Sequence, residues 1–277
     1  MSQVLPDDYK FVSDLVFKTS GLVLGPDKQY LVETRLDSVA KKNNFKTINE
    51  LIQSIRFSQN SVHIREITEA LTTPETLFFR DTVPYEVLRE LMLPSLLEAR
   101  KATKTLRIWS AASSFGQEPY SIAMLLATYP ANFTGWRLEI TATDINATTL
   151  ERARQGLYTD FEVSRNLPET MKAKYFKKEQ SGWRISDEIK KYVQFKELNL
   201  VQPLSFMSGY FDIVFCRNVM IYFDDKTKRQ VIEKIANVLT PDGYFVMGAA
   251  ETMIGNNDLF LKVEGIKTGI YQKAKKP

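Results

Sequence analysis

Cysteine and histidine are almost missing from this chain, and so is any long apolar run. Cys216 is the single cysteine and His63 the single histidine. One thiol excludes an internal disulfide framework, and one imidazole beside it makes a His/Cys metal site untenable, so no metal is expected. No stretch approaches the roughly 18 consecutive apolar residues of a membrane span. The opening MSQVLPDDYK is acidic and polar, where a signal peptide is basic and then apolar. A soluble, unexported, cytoplasmic protein is expected.

What is present suffices for a sizeable core: 44% of 277 residues are hydrophobic, at a length between one large domain and two smaller ones. The net charge of +4 is too small to mark a nucleic-acid binder by itself. Its distribution is uneven. Residues 165–196 hold nine Lys or Arg against four acids, and the tail from Lys262 adds Lys267, Lys273, Lys275 and Lys276 against Glu264. For both segments a solvated surface is the plain alternative to a binding face.

The first 75 residues lack period-two alternation and are broken by helix starts and stops, which predicts a small all-α unit. Asp7 or Asp8 can cap a helix carrying Phe11, Val12, Leu15, Val16 and Phe17. Gly21 to Pro26 is a break, Asp27 can cap a second helix to about Lys42, and shorter helices follow near Thr47 to Arg56 and Val62 to Leu71. From Leu106 onward, short apolar runs alternate with helical stretches, the pattern of a doubly wound, mostly parallel α/β sheet. The expected strands are Leu106 to Ser110, Leu138 to Thr143, Phe211 to Cys216 and Tyr244 to Met247. Helices are expected near Pro119 to Thr128, Ala147 to Arg154 and Thr227 to Leu239, the last stopped by Pro241-Asp242-Gly243. Residues 156–196 fit neither a single helix nor a single strand and read as a small inserted subdomain.

Ligands of open α/β sheets bind beyond the carboxyl ends of the strands. After the first strand comes SAASSFGQEPYS (110–121), whose small residues allow close backbone approach and whose Glu118-Pro119 opens a helix. An ordinary structural turn accounts for it equally well. Asp144 ends the second strand, 34 residues after Ser110; such a carboxylate can hold a ribose diol or merely cap the following helix. Leu198-Asn199-Leu200 forms a third edge. Asn218 and Tyr222 follow the fourth, apolar from Ile213 to its end at Cys216.

The stretches LTTPETLFFRD (71–81), RIWSAASSFGQEPYSIAMLLA (107–127), ATDINATTLERARQGLY (142–158) and FDIVFCRNVMIYFD (211–224) closely resemble the CheR-type chemotaxis receptor (methyl-accepting chemotaxis protein) glutamate methyltransferases. That resemblance covers nearly the whole chain and implies an adenosylmethionine-dependent methyltransferase fold. It implies a helical receptor-recognition domain over 1–75, and a methyltransferase domain over 76–277 with a β insertion at about 156–196. The implied reaction carries a methyl group from S-adenosylmethionine to receptor glutamates, leaving glutamate methyl esters and S-adenosylhomocysteine. Thr76, Arg80 and Glu118 would lie near the methionine end of the donor, Asp144 would hold the ribose, and Asn199-Leu200 would border the adenine. Asn218-Val219 would complete the pocket, with Arg80 and Tyr222 beside the transferred methyl.

Two positions depart from the family pattern. Pro74 stands where relatives often have Asn, and it has no N–H to donate. Gln117 replaces the first acid of a Gly-Glu-Glu-Pro-Tyr-Ser turn, while Glu118 is kept. A receptor glutamate is already ionised at neutral pH, so the missing catalytic histidine is no obstacle. Phe78 and Phe79 are candidates for a lid that excludes water.

Lys28, Arg35 and Lys42, spaced by seven, line one edge of the second helix beside Val32, Leu36 and Val39. They form either a solvated helix edge or a ridge for an acidic partner. The resemblance favours the ridge, with Arg35 and Lys41 contacting cytoplasmic helices of the receptor. The short turn at 177–183 argues against docking of a receptor tether peptide. The expected protein is a monomer without nucleic-acid partner or membrane insertion. Two other functions are alternatives: a non-enzymatic sensor of S-adenosylmethionine or S-adenosylhomocysteine, and a nucleic-acid methyltransferase. The sensor could dispense with Arg80 and Tyr222, both of which are present. The nucleic-acid enzyme would call for an Asn-Pro-Pro-Tyr or Asp-Pro-Pro-Tyr motif, which is absent.

Overall fold

Helix-forming segments at the start of the chain bury apolar residues three and four apart. The computed structural model describes residues 4–58, 60–130, 133–206, 209–253, 258–266 and 269–274. Lys267, Lys275 and Lys276 of the basic tail lie outside them. The chain divides into Met1–Thr73 with Tyr222–Thr227, and Pro74–Ile221 with Lys228–Pro277.

The first unit contains α1 (Pro6–Ser20), α2 (Gln29–Lys42), α3 (Ile48–Ser58) and α4 (Ser61–Leu71). Pro6 opens α1 with its preset φ, and Gly21 closes it in the left-handed region, φ 74°, donating its N–H to Phe17 O at 2.8 Å. Asp7 and Asp8 lie inside the first turn, not before it, because Leu5 takes the cap position. The buried Asp8 carboxylate pairs instead with Arg56 at 2.9 Å. Asp27 falls in a single 3-10 turn, Pro26–Lys28, ahead of α2. Val12 and Val16, Val32 and Leu36, Ile48, Leu51, Ile52 and Ile55 form one buried cluster. Each such side chain contributes about 1.5–3 kcal/mol relative to exposure.

The second unit opens with α5 (Val83–Val87) and α6 (Leu93–Ala99), joined by a π turn at Leu88–Met92. Then come β1 (Thr105–Ala111), α7 (Gln117–Thr128), β2 (Arg137–Asp144), α8 (Ala147–Gln155) and β3 (Leu157–Tyr158). Next are α9 (Asp160–Ser164), α10 (Glu169–Tyr175), β4 (Phe176–Glu179), β5 (Gly182–Ile185), α11 (Asp187–Lys190) and β6 (Val193–Glu197). The chain ends with β7 (Phe211–Cys216), α12 (Asp225–Val238), β8 (Leu239–Val246), β9 (Phe260–Lys262) and β10 (Ile270–Lys273).

The seven-stranded sheet has the order β6-β2-β1-β7-β8-β10-β9. Its first five strands run parallel, and β10 is antiparallel to both neighbours. Strand order reverses between β1 and β7, so the carboxyl ends of β6, β2, β1 and β7 meet along one edge at the switch point. Every residue of β7 is buried, as a strand covered on both faces requires.

A small antiparallel sheet, β3-β5-β4, forms the insertion. It ends at Ile185; residues 193–196, assigned to the insertion from sequence, belong to β6, which pairs with β2 from Ile140↔Val193 to Asp144↔Glu197. As an edge strand, β6 buries little beyond Val193, which hid its strand pattern. Pro241-Asp242-Gly243 does not terminate a helix in open solvent but lies inside β8, where the pairing with β7 slips between Phe211 and Ile213. Such an irregularity tolerates proline. Arg100, after α6, ties these strands together, donating to Asp212 at 2.7 Å and to both oxygens of Asp242 at 2.9 and 2.6 Å. No helix among the described residues is long and apolar enough to cross a membrane.

Candidate active site

The turn after β1 is held by the acid at the end of β2. Ala112, Ser114 and Gly116 all have positive φ, 56°, 50° and 90°. A Cβ at Gly116 would sit 3.0 Å from Ala153 Cβ and 3.2 Å from Phe195 Cζ, so only glycine fits there without displacement. Asp144 Oδ2 accepts the Ser114 N–H at 2.8 Å and Oδ1 accepts that of Asn146 at 2.9 Å. Capping of α8 falls to Asn146, whose side chain accepts the Thr149 N–H at 3.1 Å. Asp144 is therefore not the cap, and its carboxylate stands at the strand end facing the turn.

Beyond β6, the Leu198 N–H reaches Asp144 O at 3.0 Å, which sets the Asn199-Leu200 edge beside that acid. Asn199 Oδ1 accepts the Val201 N–H at 3.1 Å. The Lys234 ammonium donates to the carbonyls of Leu200, Val201 and Gln202 at 3.2, 2.7 and 3.0 Å. Its burial holds the Lys234 pKa below the usual lysine range.

Thr76, Arg80, Glu118 and Asn218 line one cavity, together with Ala112 and Arg217. A larger cavity of about 530 Å³ shares Thr76, Leu77 and Arg80 with it and extends to Phe115, Arg152 and Phe161. Glu118 accepts from the Ser110 hydroxyl at 2.8 Å and from Arg217 at 3.0 Å. The Arg217 side chain, 2% exposed, also donates to Asp81 at 2.9 Å and to the Arg80 carbonyl at 2.8 Å. Burial alone would lower its pKa, but the charge of Glu118, with Tyr85 and Asp81, shifts it upward overall. Phe79 and Asp81 have φ of 47° and 55°, a conformation that non-glycine residues keep only when their surroundings impose it. Here the Ser121 hydroxyl accepts the Phe79 N–H at 2.9 Å.

Residues 74–268 match the model of the CheR methyltransferase SAM-binding domain, and residues 7–72 match that of the CheR methyltransferase all-alpha domain. The chain belongs to the CheR methyltransferase family. It is 38% identical over 273 residues to chemotaxis protein methyltransferase 1 of Pseudomonas aeruginosa, covering 97% of this chain and 98% of that one. The chemotaxis protein methyltransferase of Vibrio parahaemolyticus is 38% identical over 271 residues, 97% of each chain. That of Escherichia coli is 32% identical over 247 residues, 88% of this chain and 83% of the relative.

The residues of this CheR chain fit adenosylmethionine. Glu118 lines the cavity that Arg80 also lines, and its carboxylate suits the ammonium of a methionine moiety. Asp144 places a carboxylate at the end of β2, a group type that can accept from a diol. Val219 lies in the turn after β7, where its N–H meets Glu251 at 2.9 Å. Pro74 contributes its carbonyl, which accepts from the Ser114 hydroxyl at 2.8 Å, and so still ties the 74–81 segment to the β1 turn. Among the described residues no group of acids, histidine and cysteine could hold a metal.

One expectation changes, and one residue of the cavity wall was missed. Phe78 and Phe79 form no lid: Phe78 is 0% and Phe79 6% exposed, and Phe78 packs edge-on against Tyr158 and Phe176 at 4.9 and 5.5 Å. Arg217 stands in a motif read for its neighbour Asn218, yet it links Glu118 to the Arg80 carbonyl and the Asp81 carboxylate.

Arg35, Lys41 and Tyr222 belong to the helical unit. The Arg35 guanidinium donates to the carbonyls of Ala70 and Thr72 and to the Thr73 hydroxyl, satisfying main-chain acceptors at the end of α4. Lys41 is 75% exposed and pairs with Asp37 at 2.6 Å, while Lys28 and Lys42 pair with Asp27 and Glu66. The Tyr222 carbonyl accepts the Val23 N–H at 2.9 Å, and its side chain packs at the margin of the helical core.

Proposed function

We propose that this CheR chain esterifies glutamate side chains on the cytoplasmic helices of chemotaxis receptors, taking the methyl group from S-adenosylmethionine and leaving S-adenosylhomocysteine. The observation that carries this reading is the cavity shared by Thr76, Arg80, Glu118 and Asn218, at the switch point of the sheet. Bound there, the donor would supply an electrophilic methyl on a sulfonium.

The chain's residues have two tasks. Glu118 holds the ammonium of the methionine end, Asp144 the ribose, Asn199-Leu200 the adenine, and Asn218-Val219 close the pocket. Arg80, with five N–H donors in a planar fork, can orient an incoming carboxylate through paired hydrogen bonds. Tyr222 is the second residue assigned to the transfer step. A glutamate with pKa near 4.3 needs no general base at neutral pH, so alignment dominates and can contribute roughly 7–11 kcal/mol. Charge is lost along the reaction, hence removal of water favours it.

In the helical unit, Lys41 is the exposed cation for an acidic receptor helix, and Arg35 shapes that surface through its hold on α4. The β4–β5 hairpin pairs Glu179 with Gly182, a two-residue turn too short to add contacts for a tether, so recognition proceeds without one. The protein acts as a cytoplasmic monomer, without metal or nucleic acid. Purified protein, S-adenosylmethionine and a receptor cytoplasmic fragment should give glutamates heavier by one methyl in peptide mass spectra. Unmodified fragments alongside tight S-adenosylhomocysteine binding would instead favour a sensor.

A further inference from the structure

A buried carboxylate with no role so far organises the turn that follows β7. Glu251 is 6% exposed, and its two oxygens accept four main-chain N–H groups. Oε2 takes Asn218 at 2.9 Å and Gly248 at 2.6 Å; Oε1 takes Val219 at 2.9 Å and Met220 at 2.7 Å. Burying an ionised carboxylate is costly unless its lone pairs are filled, and charge-assisted bonds from main-chain N–H groups fill them here. Three successive N–H groups converge on it while Asn218 sits in the left-handed region, φ 58°. A non-glycine residue keeps that conformation only when its surroundings determine it. The fit leaves no room at the opposing glycine: a Cβ on Gly248 would lie 2.7 Å from Glu251 Oε2 and 2.9 Å from Asn218 Nδ2. Asn218, so held, lines the cavity with Arg80 and Glu118.

We propose that Glu251 is a positioning residue of the methyl-donor site, fixing the main chain of Asn218–Met220 so that Asn218 is presented to the cavity before any ligand arrives. The inference rests on the reading of that cavity as the donor site. Glu251 acts through Asn218 and not on the donor itself. Glu251→Gln keeps the shape but turns one acceptor oxygen into an amide that faces N–H donors.

The test is titration calorimetry with S-adenosylhomocysteine on the full chain, below the melting transition of each variant. Glu251→Gln should weaken binding roughly 10- to 100-fold, the scale of lost hydrogen bonds to a charged group. Asn218→Gly keeps the backbone conformation and removes the side chain. In that background the further loss from Glu251→Gln should shrink to about 3-fold or less, a coupling that a merely structural acid would not produce. Unchanged affinity in Glu251→Gln, with only a lower melting temperature, overturns the proposal, as does full additivity with Asn218→Gly. Should Glu251→Gln not fold, hydrogen exchange on the wild-type chain decides. The amides of Asn218, Val219, Met220 and Gly248 should be protected without ligand, and fast exchange there overturns it. A wild-type chain that binds neither S-adenosylmethionine nor its product would fail in the first titration and overturn the donor reading together with this one.

Discussion

Arg217→Ala removes a guanidinium that is 2% exposed and serves three acceptors: Glu118 at 3.0 Å, Asp81 at 2.9 Å and the Arg80 carbonyl at 2.8 Å. The loss strands a Glu118 carboxylate that is 12% exposed and leaves it the Ser110 hydroxyl as a donor. Breaking a buried pair by deleting one partner costs about 3–5 kcal/mol. For a unit of roughly 150–250 residues each kcal/mol lowers the melting temperature about 2–4 °C, so a drop of about 6–20 °C is expected. Binding should fall as well, since the Arg80 main chain and the Glu118 carboxylate, which share the cavity wall, lose their common anchor. Arg217→Lys keeps the charge but cannot reach several acceptors with a planar fork, and should recover only part of both losses. Differential scanning calorimetry and titration with S-adenosylhomocysteine read the two effects. An Arg217→Ala protein that melts within about 2 °C of wild type and binds with unchanged affinity would refute the reasoning.

Asp144→Ala should weaken donor binding about 10- to 100-fold, through lost bonds to a charged group worth roughly 1.5–3 kcal/mol. Because Asp144 also holds the Ser114 N–H, the β1 turn should exchange amide protons faster; calorimetry showing unchanged affinity would defeat the assignment. Arg80→Ala and Tyr222→Phe should lower turnover more than donor affinity in steady-state kinetics, and equal losses would indicate a binding role alone. Lys41→Ala, which gives up only an exposed pair with Asp37, should reduce receptor methylation at low salt while leaving donor affinity intact. Arg35→Ala should do the same but also destabilise the helical unit, since it holds α4 carbonyls; normal methylation by both variants at several salt concentrations would remove this surface from the account. The hydrogen bond from Arg100 holds the Asp242 carboxyl below its ordinary 3.8, so Asp242 stabilises the fold above that pH, and the benefit fades as pH falls through the lower folded value. Buried Asp212 is shifted up, so its ionised form opposes folding and has the reverse sign. The urea midpoint of Asp242→Asn should therefore decline less steeply than that of wild type in acid, and parallel curves would contradict the assignment.

The central strands were legible in the sequence because their apolar residues are dense despite Asp212 in β7, Arg107 in β1 and Glu139 in β2: β7 was placed to the residue, and β1 and β2 to within about a residue at each end. Elements with sparser apolar residues or with prolines were not. Pro84 and Pro94 break the run through α5 and α6, and the charged residues of β6 hide an edge strand. The carboxyl-end rule pointed to Asp144, Asn199 and Asn218, and all three do follow or end strands of the sheet, since a strand end is a local property of sequence. Arg217 and Glu251 act through partners about 100 and 30 residues away, Glu118 and the Asn218 turn. Only the rule applied once more, beyond Met247, would have reached Gly248 and Glu251. Arg35 read as surface charge for a similar reason: its acceptors at 70–73 belong to another helix. Phe78 and Phe79 are the kind of pair that more often forms core than lid, and the rings of Tyr158 and Phe176 that decide the matter for Phe78 come from the insertion.

The reaction itself is tested most directly by supplying S-adenosylmethionine labelled on its methyl carbon to the purified chain and receptor-containing membranes. The account predicts label on the receptor that is released as methanol by mild base, as a carboxylic ester requires, and that is absent with Arg80→Ala. Label that resists base, or no transfer despite tight binding of the donor, would contradict it.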